Sequence, residues 1–329
     1  MFQLVLFPPM KEKQESNYSD QNLNEMIFDC YDILVKKQEQ NTKKTKLLFC
    51  EKNECIVLKE TDKDLSKTYE YLQSLGVSNI IYPKTNKYNS FSSISNNKFV
   101  LLYPYYQHSN NFNEKNTIDL FHELKQLHYN TAFPRKLKPE EYRKKFDEIS
   151  NRLDYKFKLF EEYIRSIENS KINYDNYQIL SKYYVILNCK IELIRLQKRI
   201  IISIKDEETV NYSFIHNNPK SEHLLYVKGN RFLTSLDFGK IGIESLDYAK
   251  FYVENSQYNV NLKKIIDDEL LSYETDFYYD YFRFIVLYIL INRIIISNDF
   301  HLTSKTFVNS CNEIEKFLNE FKDRIKNND

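Results

Sequence analysis

The sequence predicts an α+β protein: a small antiparallel sheet with one helix over residues 1–105, then a mostly helical region over 106–329. Three observations carry this expectation. Short apolar runs separated by polar turns fill the first hundred residues, as half-buried strands require. From about residue 114 the apolar residues recur every three or four positions instead, the spacing of a helix face. The length, 329 residues, suffices to bury a core without disulfides or a structural metal.

The elements follow in order. Leu47–Cys50 and Cys55–Leu58 are apolar runs around Glu51–Glu54, a hairpin pattern. Thr61–Leu75 carries Leu65, Tyr69, Leu72 and Leu75 at helical spacing, and Gly76 stands where a left-handed residue stops a helix. Ile80–Pro83 and Lys98–Pro104 read as two more strands. Asp119–Tyr129 then reads as a helix. Pro139, Glu140 and Glu141 open a long one towards Glu168, with proline and acids where a first turn favours them. Another long helix covers about 176–201. Strand-like breaks follow at Tyr212–Ile215 and at Leu224–Leu236, a hairpin turning at Gly229-Asn230. Helices resume at about 244–256, 260–273, 276–297 and 304–325, and the polar tail from Asp323 is expected to fray.

Composition excludes several functions. Gly76, Gly229, Gly239 and Gly242 are the only four glycines, so neither G-x-G-x-x-G nor G-x-x-x-x-G-K-[ST] exists in the chain. That rules out a Rossmann dinucleotide site of the usual kind and a P-loop. With 47 basic and 46 acidic residues, no global charge draws the chain to nucleic acid or anionic lipid. The five cysteines form no C-x-x-C pair. The residues from Met1 to Pro9 lack a signal-peptide pattern, and the most apolar run, Phe284–Ile291, is too short for a bilayer. A soluble, reducing, cytoplasmic protein is expected.

The chemistry concentrates in Phe214–Val227 and Phe232–Gly239. His216-Asn217-Asn218 precedes His223; then come Leu236-Asp237-Phe238-Gly239 and Asp247-Tyr248-Ala249. This order resembles the aminoglycoside phosphotransferase and choline kinase group, and in particular the bacterial spore-coat kinase-like proteins. In that group H-x-D-x-x-x-x-N is followed by a hairpin, an apolar-Asp dipeptide and an Asp opening a helix. Upstream, Val57-Leu58-Lys59 is similar to the strand whose Lys meets the ATP phosphates, and Glu70 to the helix acid that pairs with it. Leu101–Tyr105 resembles the adenine hinge, and Leu124–His128 the L-x-x-L-H helix after it.

The resemblance implies a two-lobed α+β, protein-kinase-like fold with ATP and Mg²⁺ as cofactors. It places Asn218 and His216 at the catalytic loop, Lys59 and Glu70 at the nucleotide, and Asp237 and His223 at the metal. Asp247 would anchor the loop. His128, beside Leu127 on an amphipathic helix, reads from the residues themselves as a buried, hydrogen-bonded histidine. A second reading of His216, His223 and Asp237 is a two-His-one-carboxylate metal site.

Three departures bear on activity. Asn218 stands where a carboxylate would take the acceptor proton, and an amide holds no proton at neutral pH. His223 replaces an amide oxygen, and imidazole is a poor ligand for Mg²⁺. No glycine precedes Gly76 to close backbone amides over phosphates. The expected function is therefore a catalytically impaired phosphotransferase homologue that binds a protein partner or nucleotide as an assembly module, with spore-coat assembly as a setting. The alternatives are an active small-molecule kinase acting on a hydroxyl acceptor and a nucleotide sensor.

Overall fold

Alternation in burial sets the first sheet. The computed structural model describes residues 22–51, 53–106, 114–136, 138–170, 173–206, 209–258, 261–273 and 275–321. Its first strands are β1 (Val35–Thr42), β2 (Thr45–Cys50), β3 (Cys55–Thr61), β4 (Ser93–Ser95) and β5 (Lys98–Pro104), antiparallel in the order β1-β2-β3-β5-β4. Ile56 and Leu58 of β3 point to one face, where Leu48, Val100 and Leu102 join them beneath helix α1 (residues 22–31) through Leu23 and Ile27. Side chains alternate along a strand, so Lys59 stands on the other face. There the register sets Lys59 opposite Leu101 and Val57 opposite Tyr103.

Helix α2 (Ser66–Ser74) ends as its sequence dictates. Gly76 adopts φ +70°, its amide donates to the Gln73 carbonyl, and the Val77 amide donates to the Leu72 carbonyl. These two bonds are a Schellman motif. Ile80–Pro83 is not the strand its apolar run suggests. Ile80 makes one isolated parallel bridge to Leu233. Pro83 supplies no amide and restricts Tyr82, so the pairing cannot extend. The partner strand belongs to the hairpin β8 (Leu224–Val227) and β9 (Asn230–Leu233). Its turn is Lys228-Gly229, one residue before the expected position, with φ +50° and +85°. Two left-handed residues give the primed turn that matches strand twist.

The described residues before 112 form one compact unit together with Glu222–Asp237. Residues 112–221 and those from Phe238 onward form a second. The hairpin, which the sequence reading left with the helical part, thus groups with the sheet.

The second unit contains α3 (Glu114–Thr131), β6 (Phe133–Lys136), α4 (Pro139–Glu168), α5 (Tyr174–Asp206), β7 (Thr209–Ile215), β10 (Lys240–Gly242), α6 (Ser245–Asn255), α7 (Leu262–Leu270), α8 (Phe277–Arg293) and α9 (Phe300–Glu320). β7 lies between β10 and β6, antiparallel to both. Asn261 and Asp299 cap α7 and α9 by accepting the Lys264 and Leu302 amides. The apolar run Phe284–Ile291 lies in α8, which α5, α6 and α9 cover, and Phe282, Phe284, Val286 and Leu287 are closed to solvent. Among the described residues no helix is long and apolar enough to cross a membrane. The opening residues and the tail from Asp323 lie outside the described residues.

Candidate functional site

In the second unit, β7 delivers the chain into the loop 216–221, and α6 holds that loop. Asp247 is wholly buried and accepts the backbone amides of His216 and Asn217, each at 2.6 Å. His128 Nε2, from the end of α3, donates to the same carboxylate at 2.8 Å. Tyr248 Oη meets His128 Nδ1 at 3.2 Å. One turn on, Lys250 Nζ donates to the Asn217 carbonyl oxygen and to its Oδ1, at 2.9 and 2.6 Å. Asn255 Nδ2 donates to the Pro219 carbonyl, and its Oδ1 accepts from Ser221 Oγ. Positions 247, 250 and 255 thus present one helix side to the loop. Burial pushes the Lys250 ammonium down from its ordinary value, with Asp247 opposing.

Asn217 carries φ +62°, a left-handed conformation that asparagine tolerates better than most residues. Its Nδ2 donates to the Phe238 carbonyl at 2.9 Å. The loop's conformation is therefore built from side-chain anchors rather than from glycine. Asn218 follows, half-buried, with its amide donating to His216 Nδ1 at 3.3 Å.

His216 has no exposed surface, and its Nδ1 accepts the Asn218 amide of its own loop, so it supports the position of Asn218. Among the described residues, no three His, Cys, Asp or Glu side chains gather as metal ligands.

In the first unit, Lys59 Nζ lies 2.6 Å from Asp237 Oδ2, with side chains 12% and 20% exposed. Glu70, the expected partner of Lys59, is exposed on α2 and does not make that pair. Helix phase explains the difference. Leu65, Tyr69 and Leu72 share one face at i, i+4 and i+7, so Tyr69 turns inward and Glu70 turns out. Tyr69 and Tyr103 hydrogen-bond through their hydroxyls at 2.9 Å. Burial raises both phenols, and the Asp237 charge raises them further. Asp237 therefore sits beside a cation and two neutral phenols. Among the described residues its Oδ1 is buried without a hydrogen-bond partner. His223 is nearly buried in the same unit; its carbonyl accepts from the Thr234 amide and hydroxyl, and Nε2 lies 3.9 Å from Glu222.

Asp237 Oδ1 fits Mg²⁺ chemistry, since Mg²⁺ binds through one or two carboxylates plus phosphate oxygens and water. His223 does not fit that chemistry, being a nitrogen donor better suited to softer ions. Lys59 fits a phosphate, although its charge is now spent on Asp237. Lys250 and the Tyr69–Tyr103 pair escaped the sequence reading. The spacing of Asp247 and Lys250, three apart on one helix face, was the available signal for the first.

The described fold has solved counterparts. An aminoglycoside phosphotransferase from Alicyclobacillus acidocaldarius superposes with a TM-score of 0.55 at 10% identity, covering 97% of this chain and 96% of that one. A thermostable mutant of aminoglycoside phosphotransferase APH(4)-Ia, in ternary complex with AMP-PNP and hygromycin B, gives 0.52 at 10% identity over 90% and 97%. The fold is that of the aminoglycoside phosphotransferases. No family model and no curated protein matches the sequence. At this identity the aminoglycoside phosphotransferase fold is shared while its chemistry has to be argued from the residues above.

Proposed function

We propose that the chain is a phosphotransferase homologue whose phosphoryl transfer is impaired and whose fold serves as a binding or assembly module. One observation carries the reading. The loop 216–218 is fastened by Asp247, His128 and Lys250, yet the residue it presents is the amide Asn218. An amide orients a hydroxyl but cannot take its proton, and loss of a general base costs ~10²–10⁴ in rate. The Lys59–Asp237 pair supports the same reading, because phosphate and metal would each have to displace the other's protein partner. The resemblance to spore-coat proteins suggests spore-coat assembly as the setting and a coat protein as the partner.

The test compares the wild type with Asn218→Asp/His223→Asn in Mg²⁺-dependent transfer from ATP to hydroxyl acceptors. The wild type should stay far below ordinary kinase rates of roughly 1–100 s⁻¹, and the double variant should gain more than the product of the two singles. Wild-type turnover at ordinary kinase rates would overturn the proposal. A thermal-shift titration with ATP, with and without Mg²⁺, separates a nucleotide binder from a pure scaffold, since a ligand of the folded state alone raises the melting temperature.

A further inference from the structure

The second unit holds a slot that the loop chemistry does not use. It is a cavity of about 200 Å³ between α4, β7, β10 and α8. Its wall is aliphatic and aromatic, with Phe146, Ile149, Leu246, Tyr281, Phe284 and Ile285. Tyr142 and Tyr212 close one side by hydrogen-bonding to each other, which leaves the accepting phenol one O–H donor. Burial pushes Tyr281 up to about 12 and Tyr142 upward as well, so the aromatic wall stays neutral. Gly242 on the slot wall packs closely against β7, where a Cβ would lie 2.7 Å from Ile215 Cδ1.

The charges on the slot are of one sign. Lys145 and Lys240 are its only charged lining residues, and both are exposed while Tyr142, Phe146 and Phe284 beside them are buried. The ammonium groups therefore stand at the solvent end. Among the described residues neither lysine has a carboxylate partner; Lys145 lies over the Tyr142 ring at 5.5 Å. Glu141, on the same helix as Lys145, is taken by Lys138. A largely apolar slot under two cations that have no carboxylate partner among the described residues favours an anionic head on an apolar body. It repels cations and offers a neutral head hydrogen bonds without the ionic attraction an anion gains.

We propose that this slot binds a small organic anion: one carboxylate or phosphate group held by Lys145 and Lys240, with a compact apolar body against Phe146, Phe284 and Ile285. The volume lies below the usual 300–1,000 Å³ of sites for drug-sized ligands, which limits the body to about ten to fifteen heavy atoms. The site lies wholly within the second unit and does not rest on the phosphotransferase reading. Its rim is nonetheless close to the loop, since Lys240 pairs with Ile215, the residue before His216.

The probe is naphthalene-1-acetate, compared with the neutral naphthalene-1-acetamide and the cationic 1-naphthylmethylamine, titrated into the full chain by calorimetry and by naphthalene emission. The chain has no tryptophan, so that emission is read over tyrosine alone. The acid should bind saturably, the amide roughly tenfold more weakly and the amine not at all. Lys145→Glu/Lys240→Glu changes exposed positions only; it should cost the acid at least tenfold and admit the amine. Ile149→Phe, which fills the slot from α4, should remove acid binding while circular dichroism stays unchanged. Absence of saturable binding at millimolar acid overturns the proposal. So does equal binding of acid and amide, or acid binding that survives both variants.

Discussion

His128 and Asp247 meet at 2.8 Å with both side chains closed to solvent, and the Asp247 carboxylate also holds the His216 and Asn217 amides. One buried carboxylate thus ties α3, α6 and the loop together, with three donors on two oxygens. Asp247→Asn keeps the shape but replaces one accepting oxygen by a donor, leaving a backbone amide facing an NH₂ group. The expected cost is roughly 2–4 kcal/mol, from an unsatisfied buried amide and the loss of a charged acceptor. Urea unfolding measures it, and amide exchange at 216–217 should accelerate beyond the global change. An unchanged denaturation midpoint would show that the loop does not depend on Asp247.

Asn217 supplies a second test, because its φ of +62° separates backbone from side-chain effects. Asn217→Gly keeps the conformation without strain but loses the side-chain bonds to Lys250 Nζ and to the Phe238 carbonyl, while Lys250 keeps the residue 217 carbonyl. Asn217→Val loses the same bonds and adds a left-handed β-branched residue, about 1–2 kcal/mol more. Thermal melts should rank wild type, then glycine, then valine. Equal stability of the two variants would mean that the loop has relaxed out of the left-handed region.

Lys59→Met leaves Asp237 with neither oxygen paired. Fully buried pairs lose about 3–5 kcal/mol when one partner is removed; with these side chains 12% and 20% exposed, a loss of roughly 1–3 kcal/mol is expected. Lys59→Met/Asp237→Asn should be less destabilised than the sum of its singles, since no uncompensated charge remains. A double-mutant cycle in thermal unfolding reads this coupling, and strict additivity would deny the pair any energetic role.

Asp280 predicts a pH dependence. Burial pushes its carboxyl up to about 6, against the pull of Arg199, 2.8 Å away, and of Arg283. The unfolded carboxyl titrates near 3.9. The folded state therefore holds the proton more tightly, and stability from this group is present below about pH 4 and is lost as pH rises towards 6. Wild-type stability minus that of Asp280→Asn should fall by on the order of 2 kcal/mol between about pH 4 and 7. Paired urea titrations across that range check it, and a flat difference would refute the shift.

The parts of this fold that were legible in sequence are those where burial patterns a segment by itself. β2, β3 and β5 carry short apolar runs bounded by polar residues, α4 opens with Pro139 and two acids, and Gly76 stops α2 as its position required. β1 was illegible, because Val35–Thr42 is a mostly exposed edge strand defined only by its pairing with β2. β4, β6 and β10 are three- or four-residue strands set by their neighbours. In the site, the anchoring by Asp247 followed from motif order and the buried His128 from the apolar face of its helix. The partner of Lys59 did not. Charge type suggested Glu70, whereas helix phase and the reach of Asp237 decided the outcome.

The placement of Glu222–Asp237 has a consequence for biogenesis. Backbone bonds join Leu233 to Asn79 and Ile81, so a stretch made late in translation completes a body begun early. At about 5–20 residues per second, the ribosome takes on the order of ten seconds to go from the last described residue of the sheet segment to Asp237. Throughout that interval the Asn79 carbonyl and the Ile81 amide lack their native partner, and Lys59 lacks its counter-ion. Vectorial, unit-by-unit folding is thus barred to the sheet half: its last pieces arrive only after α3, α4 and α5 have left the exit tunnel, and a nascent chain arrested before the hairpin exposes an unfinished edge.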